Sequence, residues 1–162
     1  MSNRILIVYA SKYGCTEKAA LLLQARLNAA EVVNLRTGKL PVLTGYDTVI
    51  LGGSIYYGRI RKEMTAFTAT HKQELLTKRL GLFICAGMTG EKGEEELKQA
   101  YPEIIYNKAL AREIMGDEIY PDRISALDKW IIRMVKGKEH KTGGGLSMDK
   151  LERFAHTISA GE

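Results

Sequence analysis

Cysteine is scarce in this chain, and long apolar runs are missing. Cys15 and Cys85 are the two cysteines among 162 residues, too few for a disulfide framework and without the spacing of metal ligands. No apolar stretch approaches the roughly 20 residues that a membrane-spanning helix needs, and the amino terminus does not have the layout of a signal peptide. We therefore expect a reducing, cytoplasmic setting and no metal site.

Several motifs of nucleotide-binding and hydrolytic proteins are also missing. The first strand–loop–helix junction has neither Gly-x4-Gly-Lys-Ser/Thr nor Gly-x-Gly-x-x-Gly, which argues against a P-loop and a dinucleotide loop. The Gly-x-Ser-x-Gly elbow of hydrolases is absent. A small tyrosine phosphatase that used Cys15 would need an arginine six positions later, where this chain has Leu21. This argues against that class of enzyme. A receiver domain needs acidic strand ends, whereas residues 9–11 are Tyr-Ala-Ser.

The composition is typical of a soluble globular protein, with 45% hydrophobic and 27% charged residues. Its length favours a single domain over residues 1–162 with a sizeable core. The formal net charge of +5 suggests an anionic partner or surface, although simple solubility explains a charge of this size equally well. We expect no nucleic-acid partner.

The most informative stretch covers residues 4–16 and reads Arg-Ile-Leu-Ile-Val-Tyr-Ala-Ser-Lys-Tyr-Gly-Cys-Thr. Its apolar run does not alternate, which is typical of a strand buried on both faces of a parallel sheet. The loop that follows offers hydroxyls, a glycine and the free N–H groups of a helix amino terminus, a combination suited to one terminal phosphate. An ordinary turn with Ser11 and Thr16 as helix caps is the alternative.

Strand-like and helical patterns alternate along the chain, which predicts an α/β protein with a doubly wound parallel sheet of five strands in the order 2-1-3-4-5. The predicted strands cover residues 5–10, 31–35, 47–53, 79–86 and 111–116. The predicted helices cover residues 16–28, 61–71, 94–101, 102–110 and 147–160. In this order the carboxyl ends of the first, third and fourth strands lie side by side, so their loops converge on one crevice.

The second and third of these loops carry features suited to a flat ring. Residues 52–58 combine glycines, which allow close approach of backbone to a ligand, with the planar side chains of Tyr56 and Tyr57. Residues 86–93 are glycine-rich and include Met88 as an apolar cover. Together with the phosphate loop, they predict a mononucleotide with a large ring system, such as FMN. Ordinary packing of the two tyrosines is the alternative.

The motifs in these loops resemble those of the flavodoxin family. Ser11, Tyr13, Gly14 and Thr16 match its phosphate loop, Ser/Thr-x-Thr/Tyr-Gly-x-Thr. Within the family, Gly-Ser-Ile-Tyr-Tyr-Gly-Arg at residues 53–59 is similar to Ala-Ser-Ile-Arg-Tyr-Gly-His of the menaquinone-dependent protoporphyrinogen oxidases, with Tyr56 in place of arginine. Residues 128–133 (Asp-Lys-Trp-Ile-Ile-Arg) resemble the extra segment that this subfamily carries before its last helix.

This resemblance implies an FMN-dependent oxidoreductase of haem biosynthesis, in which the flavin carries the chemistry and no side chain is catalytic. Electrons would pass from a porphyrinogen through FMN to a quinone, and Arg59, Arg61, Lys62 and Arg123 are candidates to meet the porphyrinogen carboxylates. The alternatives are an electron carrier that docks with a redox partner protein and a flavin-binding module with an unrelated substrate, such as a small quinone or nitro compound. The implied FMN ligands are Ser11, Lys12, Tyr13, Gly14, Cys15, Thr16, Ser54, Ile55, Tyr56, Tyr57, Gly58, Ala86, Gly87, Met88, Thr89, Gly90 and Glu91.

The segment 120–145 is longer than a simple strand–helix connection, and residues 125–136 within it have helical periodicity. One face of this predicted insert helix is apolar and includes Trp130, whereas Lys129, Arg133 and Lys136 lie on the other. Such a basic amphipathic helix suits an anionic membrane surface, so we expect peripheral membrane contact through residues 124–141. The alternatives are a helix packed on its own domain and a segment that helps to shape a substrate pocket.

Overall fold

The computed structural model describes residues 3–11, 14–40, 42–88, 90–117 and 145–160. At its centre lie five parallel strands in the order β2-β1-β3-β5-β6. This confirms the predicted doubly wound sheet. The strands are β1 Ile5–Ala10, β2 Ala30–Asn34, β3 Thr48–Tyr56, β5 Arg79–Cys85 and β6 Ala111–Ile114, with the short strands β4 Arg59–Ile60, β7 Gly116–Asp117 and β8 Gly145–Leu146.

The central strands are apolar because both faces of the sheet are covered. Every residue of β1 and the first six of β3 are buried, which explains why these sequences do not alternate between apolar and polar residues. Ile7 of β1 lies opposite Val32 on one side and Ile50 on the other. The two strands that border the predicted crevice are thus fixed in the core.

Helices pack on both faces of the sheet and bury a separate core on each. Leu23, Phe83 and Phe154 belong to the core under α1 and α6, whereas Met64 and Leu97 belong to the core under α2 and α4. The helices are α1 Cys15–Arg26, α2 Lys62–Thr70, α3 Lys72–Leu75, α4 Gly90–Ala100, α5 Glu103–Lys108 and α6 Met148–Ala160, with a 3-10 turn at Leu43–Gly45.

Tyr101 fastens the end of α4 to the sheet. Its buried hydroxyl donates to the carbonyl oxygen of Phe83 at 2.7 Å and also lies 3.1 Å from that of Leu51. Burial raises the pKa of this phenol well above its usual value, so the hydroxyl keeps its proton. Strands β3 and β5 are thereby tied to the helix that follows the third predicted loop.

Two predicted boundaries next to the crevice were wrong. Strand β3 continues through Tyr56 instead of ending at Gly53, because the chain turns back and pairs with β4. Helix α4 begins at Gly90 instead of residue 94. The predicted insert helix at 125–136 lies outside the described residues. In the part of the chain that the structure describes, no helix has the length and apolarity needed to cross a membrane.

Candidate functional site

The sheet order places the carboxyl ends of β1, β3 and β5 side by side. Ala10 at the end of β1 lies opposite Gly53 of β3, and Ser54 lies opposite Cys85 of β5. The three predicted loops therefore meet at one edge of the sheet, where a doubly wound fold binds its ligands. Of the predicted FMN ligands, Lys12, Tyr13 and Thr89 lie outside the described residues.

Gly14 joins the first loop to helix α1. This residue has φ 92°, a backbone conformation that glycine adopts without strain, and its N–H donates to Ser11 Oγ at 3.0 Å. Helix α1 begins directly afterwards at Cys15. The suggestion that Thr16 caps this helix was wrong, because Thr16 lies within its first turn and is fully buried.

Two buried hydroxyls at this edge have no hydrogen-bond partner among the residues that the structure describes. Thr16 Oγ1 and Ser54 Oγ are both enclosed and unsatisfied, and leaving such a group unpaired costs about 1–3 kcal/mol. Thr16 lies on α1, and Ser54 lies on the same face of β3 as Ile50, which belongs to the core under α1. A ligand that accepts one hydrogen bond from Thr16 at the amino terminus of α1 and another from Ser54 near the end of β3 would satisfy both groups.

The second loop is the tip of a β-hairpin. Ile55 pairs with Ile60 and Tyr56 with Arg59, and the two residues between them, Tyr57 and Gly58, have φ 55° and 77°. Two successive positive φ angles define a type I′ turn. The side chain of Ile55 packs on the core under α2 and α4, on the face opposite Ser54. Of the predicted ligands in this loop, Ile55 can therefore offer only its backbone.

Tyr56 and Tyr57 present their rings together at this tip. The ring centroids are 4.1 Å apart with an interplanar angle of 62°, and the two hydroxyls are 3.3 Å apart. Tyr57 is 53% exposed and holds a left-handed backbone conformation that costs a non-glycine residue about 1 kcal/mol. A large exposed ring kept in a strained conformation is typical of a functional position.

We expect Tyr57→Gly to stabilise the ligand-free protein while weakening its binding of a flat ligand. Glycine removes the positive-φ strain, worth about 0.5–1 kcal/mol, and the exposed ring contributes little to the core. Denaturant unfolding measures the gain, and titration with FMN measures the loss. Loss of stability in this variant would show that the Tyr57 ring supports the hairpin itself.

The third loop is held between β5 and α4. Ala86 donates its N–H to the carbonyl oxygen of Gly116 at 2.9 Å, which ties the loop to β7. A Cβ on Gly93 would lie 2.7 Å from the carbonyl oxygen of Met88, so glycine is required where the loop folds back on α4. The predicted ligands Gly90 and Glu91 belong to the first turn of this helix.

Glu96 on α4 has one carboxylate oxygen, Oε1, that is buried and has no hydrogen-bond partner within the described ranges. Desolvation raises the pKa of this carboxyl, and Lys92 offsets part of the effect. At a pH above the usual pKa of glutamate, the Glu96 carboxyl is ionised in the unfolded chain. In the folded protein, ionising the same carboxyl costs free energy because it is partly desolvated. The cost to stability is therefore present at neutral pH and disappears as the pH falls below 4.

We expect Glu96→Gln to be more stable than the wild type at pH 7, by about a few tenths of a kcal/mol, because Glu96 is partly exposed and solvent screens the effect. Thermal unfolding at pH 7 and pH 4 measures this difference, which should shrink at the lower pH. Glu95→Gln, at the exposed neighbouring position, serves as the control. If Glu96→Gln is more stable than the wild type by the same amount at both pH values, desolvation of the Glu96 carboxylate is not the cause.

Three contacts that hold the site were not predicted from the sequence. The guanidinium of Arg36 donates to the carbonyl oxygen of Ser11 at 3.1 Å, and Gly116 accepts from Ala86. Tyr9, on the face of β1 towards α1, donates to Glu17 at 2.7 Å, and burial together with that carboxylate raises the pKa of Tyr9. These contacts join residues that are 8 to 30 positions apart in the sequence, so no local sequence pattern predicts them.

Comparison with known families gives one match that covers most of the chain. The model of the family described as "Flavodoxin domain" matches residues 6–144, a range that includes all three loops of the crevice. No curated protein matches the chain.

Solved structures with the same fold are numerous and distant in sequence. The flavodoxin of Streptococcus pneumoniae TIGR4 is 17% identical, with 98% of this chain and 99% of that chain covered and a TM-score of 0.60. A flavoprotein from Lactobacillus acidophilus NCFM in complex with FMN is 14% identical over 80% of this chain and 99% of that chain, with a TM-score of 0.56. A WrbA-like flavodoxin from Agrobacterium tumefaciens is 15% identical over 99% and 100%, with a TM-score of 0.54. At these identities the likeness establishes the fold.

Proposed function

Because this chain belongs to the flavodoxin domain family, we propose that it is an FMN-binding oxidoreductase. The observation that carries the proposal is a pair of buried hydroxyls that have no hydrogen-bond partner among the described residues, Thr16 in the first turn of α1 and Ser54 near the end of β3. These groups and the strained tip at Tyr57 fit a ligand with a phosphate at one end and a flat ring at the other.

The loops offer a separate group of residues to each end of FMN. Ser11, Gly14, Cys15 and Thr16 would hold the phosphate with hydroxyls and the N–H groups at the start of α1. The isoalloxazine would lie between the hairpin tip and the third loop, against Ser54, Tyr56, Tyr57, Gly58, Ala86, Gly87, Met88, Gly90 and Glu91. When bound, the flavin supplies the redox chemistry. The chain's own part is to orient the ring and to set the polarity around it.

We further propose that the substrate is a porphyrinogen and that a quinone accepts the electrons, as the resemblance to the menaquinone-dependent protoporphyrinogen oxidases implies. Cationic residues beside the hairpin support an anionic substrate. Arg59 and Lys62 are exposed, and the porphyrinogen carboxylates would pair with them. The acidic helix α4 on the other side of the third loop would repel the same carboxylates, so the substrate would approach from the hairpin side.

An anaerobic assay separates an enzyme from a carrier. FMN-loaded protein is mixed with protoporphyrinogen and a menaquinone analogue, and quinone reduction is followed. We expect turnover in the wild type and a raised KM in the double variant Arg59→Gln/Lys62→Gln, because two positive charges near the substrate are lost. Lys72→Gln/Lys98→Gln, with two exposed lysines on α3 and α4, is the control for net charge. No turnover, with clean reduction of the bound flavin by a partner reductase, would mean an electron carrier.

Peripheral membrane contact through residues 124–141 would bring a quinone to the protein, so we propose a cytoplasmic, membrane-associated location. The basic amphipathic pattern of this segment supports it. The described residues on either side are paired, Gly116 with Leu146 and Asp117 with Gly145, and β7 adjoins the third loop. Flotation with anionic vesicles tests the proposal, and absence of binding would remove it.

A further inference from the structure

A cluster of three charged residues, Arg36, Glu63 and Arg61, lies against the phosphate loop. Arg36 Nη1 donates to the carbonyl oxygen of Ser11 at 3.1 Å, and its Nε lies 3.6 Å from Glu63 Oε2. Glu63 also meets Arg61, whose Nε and Nη2 lie 3.3 and 3.4 Å from its two oxygens. One carboxylate is thus shared by two guanidinium groups, and this Arg36 cluster carries a net positive charge.

The backbone at Arg36 is fixed beside the end of β1. Leu35 donates its N–H to the carbonyl oxygen of Tyr9 at 2.8 Å, which continues the pairing between β2 and β1. Asn34 Oδ1 then accepts the N–H of Arg36 at 3.0 Å, an Asx turn that redirects the chain. The turn aims the side chain of Arg36 across the loop that follows β1, so its contact with Ser11 is set by the fold.

Glu63 holds Arg36 in place but pairs with only part of the Arg36 guanidinium group. Desolvation pushes the pKa of Glu63 up, but a backbone hydrogen bond and the two arginines together hold it below its usual value, so the carboxyl is ionised at neutral pH. Among the described residues, the Nη2 group of Arg36 has no partner, and the side chain is 41% exposed. Arg61 gives two donors to Glu63 and is 17% exposed.

We propose that Arg36 is a specificity-determining residue for the phosphate end of the flavin, so that the site discriminates FMN from riboflavin. The inference rests on the proposed FMN function. Thr16 and the start of α1 supply neutral donors to the phosphate, whereas Arg36, which donates to the carbonyl oxygen of Ser11 in the phosphate loop, supplies a positive charge. Arginine suits this role because its planar donor set can contact the loop carbonyl and an anion at the same time.

The test compares the affinities of FMN and riboflavin in Arg36→Gln, Arg36→Lys and the wild type. We expect Arg36→Gln to bind FMN about three- to thirtyfold more weakly, the range for losing a half-exposed charged contact, and riboflavin within about twofold of the wild type. The FMN affinity of Arg36→Gln should also fall less steeply with salt. Arg36→Lys keeps the charge and should recover part of the FMN affinity.

Arg4→Gln is the matched control. Arg4 also pairs with a glutamate, Glu31, at 3.1 Å and is 51% exposed, but it lies at the amino end of β1, across the sheet from the crevice. If Arg36→Gln weakens the binding of FMN and of riboflavin equally, Arg36 only supports the loop. If the FMN affinity is unchanged, Arg36 has no role in binding the phosphate. Both outcomes overturn the inference and leave the proposed function intact, whereas a wild type that binds no FMN overturns both.

Discussion

Replacing Thr16 by valine should weaken FMN binding by about ten- to a hundredfold and leave the ligand-free protein as stable as the wild type or slightly more stable. Valine has nearly the shape of threonine and removes only the hydroxyl, which is buried and has no partner in the described part of the chain. Loss of an unsatisfied buried group does not destabilise the apoprotein. Loss of a hydrogen bond to an anionic phosphate costs about 1.5–3 kcal/mol of binding free energy.

Thr68→Val is the matched control for this prediction. Thr68 is also buried on a helix, but its Oγ1 lies 3.1 Å from the carbonyl oxygens of Met64 and Thr65. Its replacement should cost about 1 kcal/mol of stability and leave FMN affinity unchanged. Fluorescence titration with FMN and denaturant unfolding of the apoproteins measure both quantities. A Thr16→Val apoprotein that is clearly destabilised, with normal FMN affinity, would mean that the hydroxyl serves the fold.

Gly52→Ala should destabilise the protein by about 3 kcal/mol or more, the largest effect on stability that we expect from a single methyl group. A Cβ at Gly52 would lie 2.6 Å from Phe83 Cε2 and closer still to Phe83 Cζ. Gly52 and Phe83 are opposite each other in β3 and β5, and the ring is held by an edge-to-face contact with Phe154 at 6.0 Å. Overpacking of this kind forces shifts in a fully buried core.

Thermal unfolding measures this effect, and a melting temperature lower by about 6–12 °C is expected for a domain of this size. Gly45→Ala is the control, because its Cβ would approach only the flexible end of Arg4 at 3.1 Å. The double variant Gly52→Ala/Phe83→Leu should be less destabilised than the sum of its single changes, since the smaller side chain leaves room for the methyl group. Strict additivity would contradict a clash with Phe83.

The strand order and the convergence of three loops were predictable because the signals for them are local. Apolar runs without alternation indicate strands covered on both faces, and β1 and β3 are buried in that way. Small residues follow each run at the point where the strand ends. The chain also alternates between strands and helices, which restricts the topology to a few arrangements. Whether the predicted residues in these loops contact FMN stays a prediction.

The hairpin and the Arg36 cluster were not predictable for a different reason. Asn-Gly or a similar pair normally indicates a type I′ turn. Here Tyr57 occupies the first left-handed position, so the segment has the sequence pattern of an ordinary glycine-rich loop. Arg36 reaches Ser11 across 25 positions of sequence. Such a contact is decided by how β2 packs beside β1, and no spacing in the sequence encodes it.

The measurement that tests the account most directly is a titration of the apoprotein with FMN, followed by flavin fluorescence and by thermal unfolding. We expect one FMN per chain, a yellow complex and a melting temperature that rises with FMN concentration, as for any ligand that binds only the folded state. A colourless protein whose melting temperature is unchanged by FMN would contradict the crevice as a flavin site and leave the fold alone established.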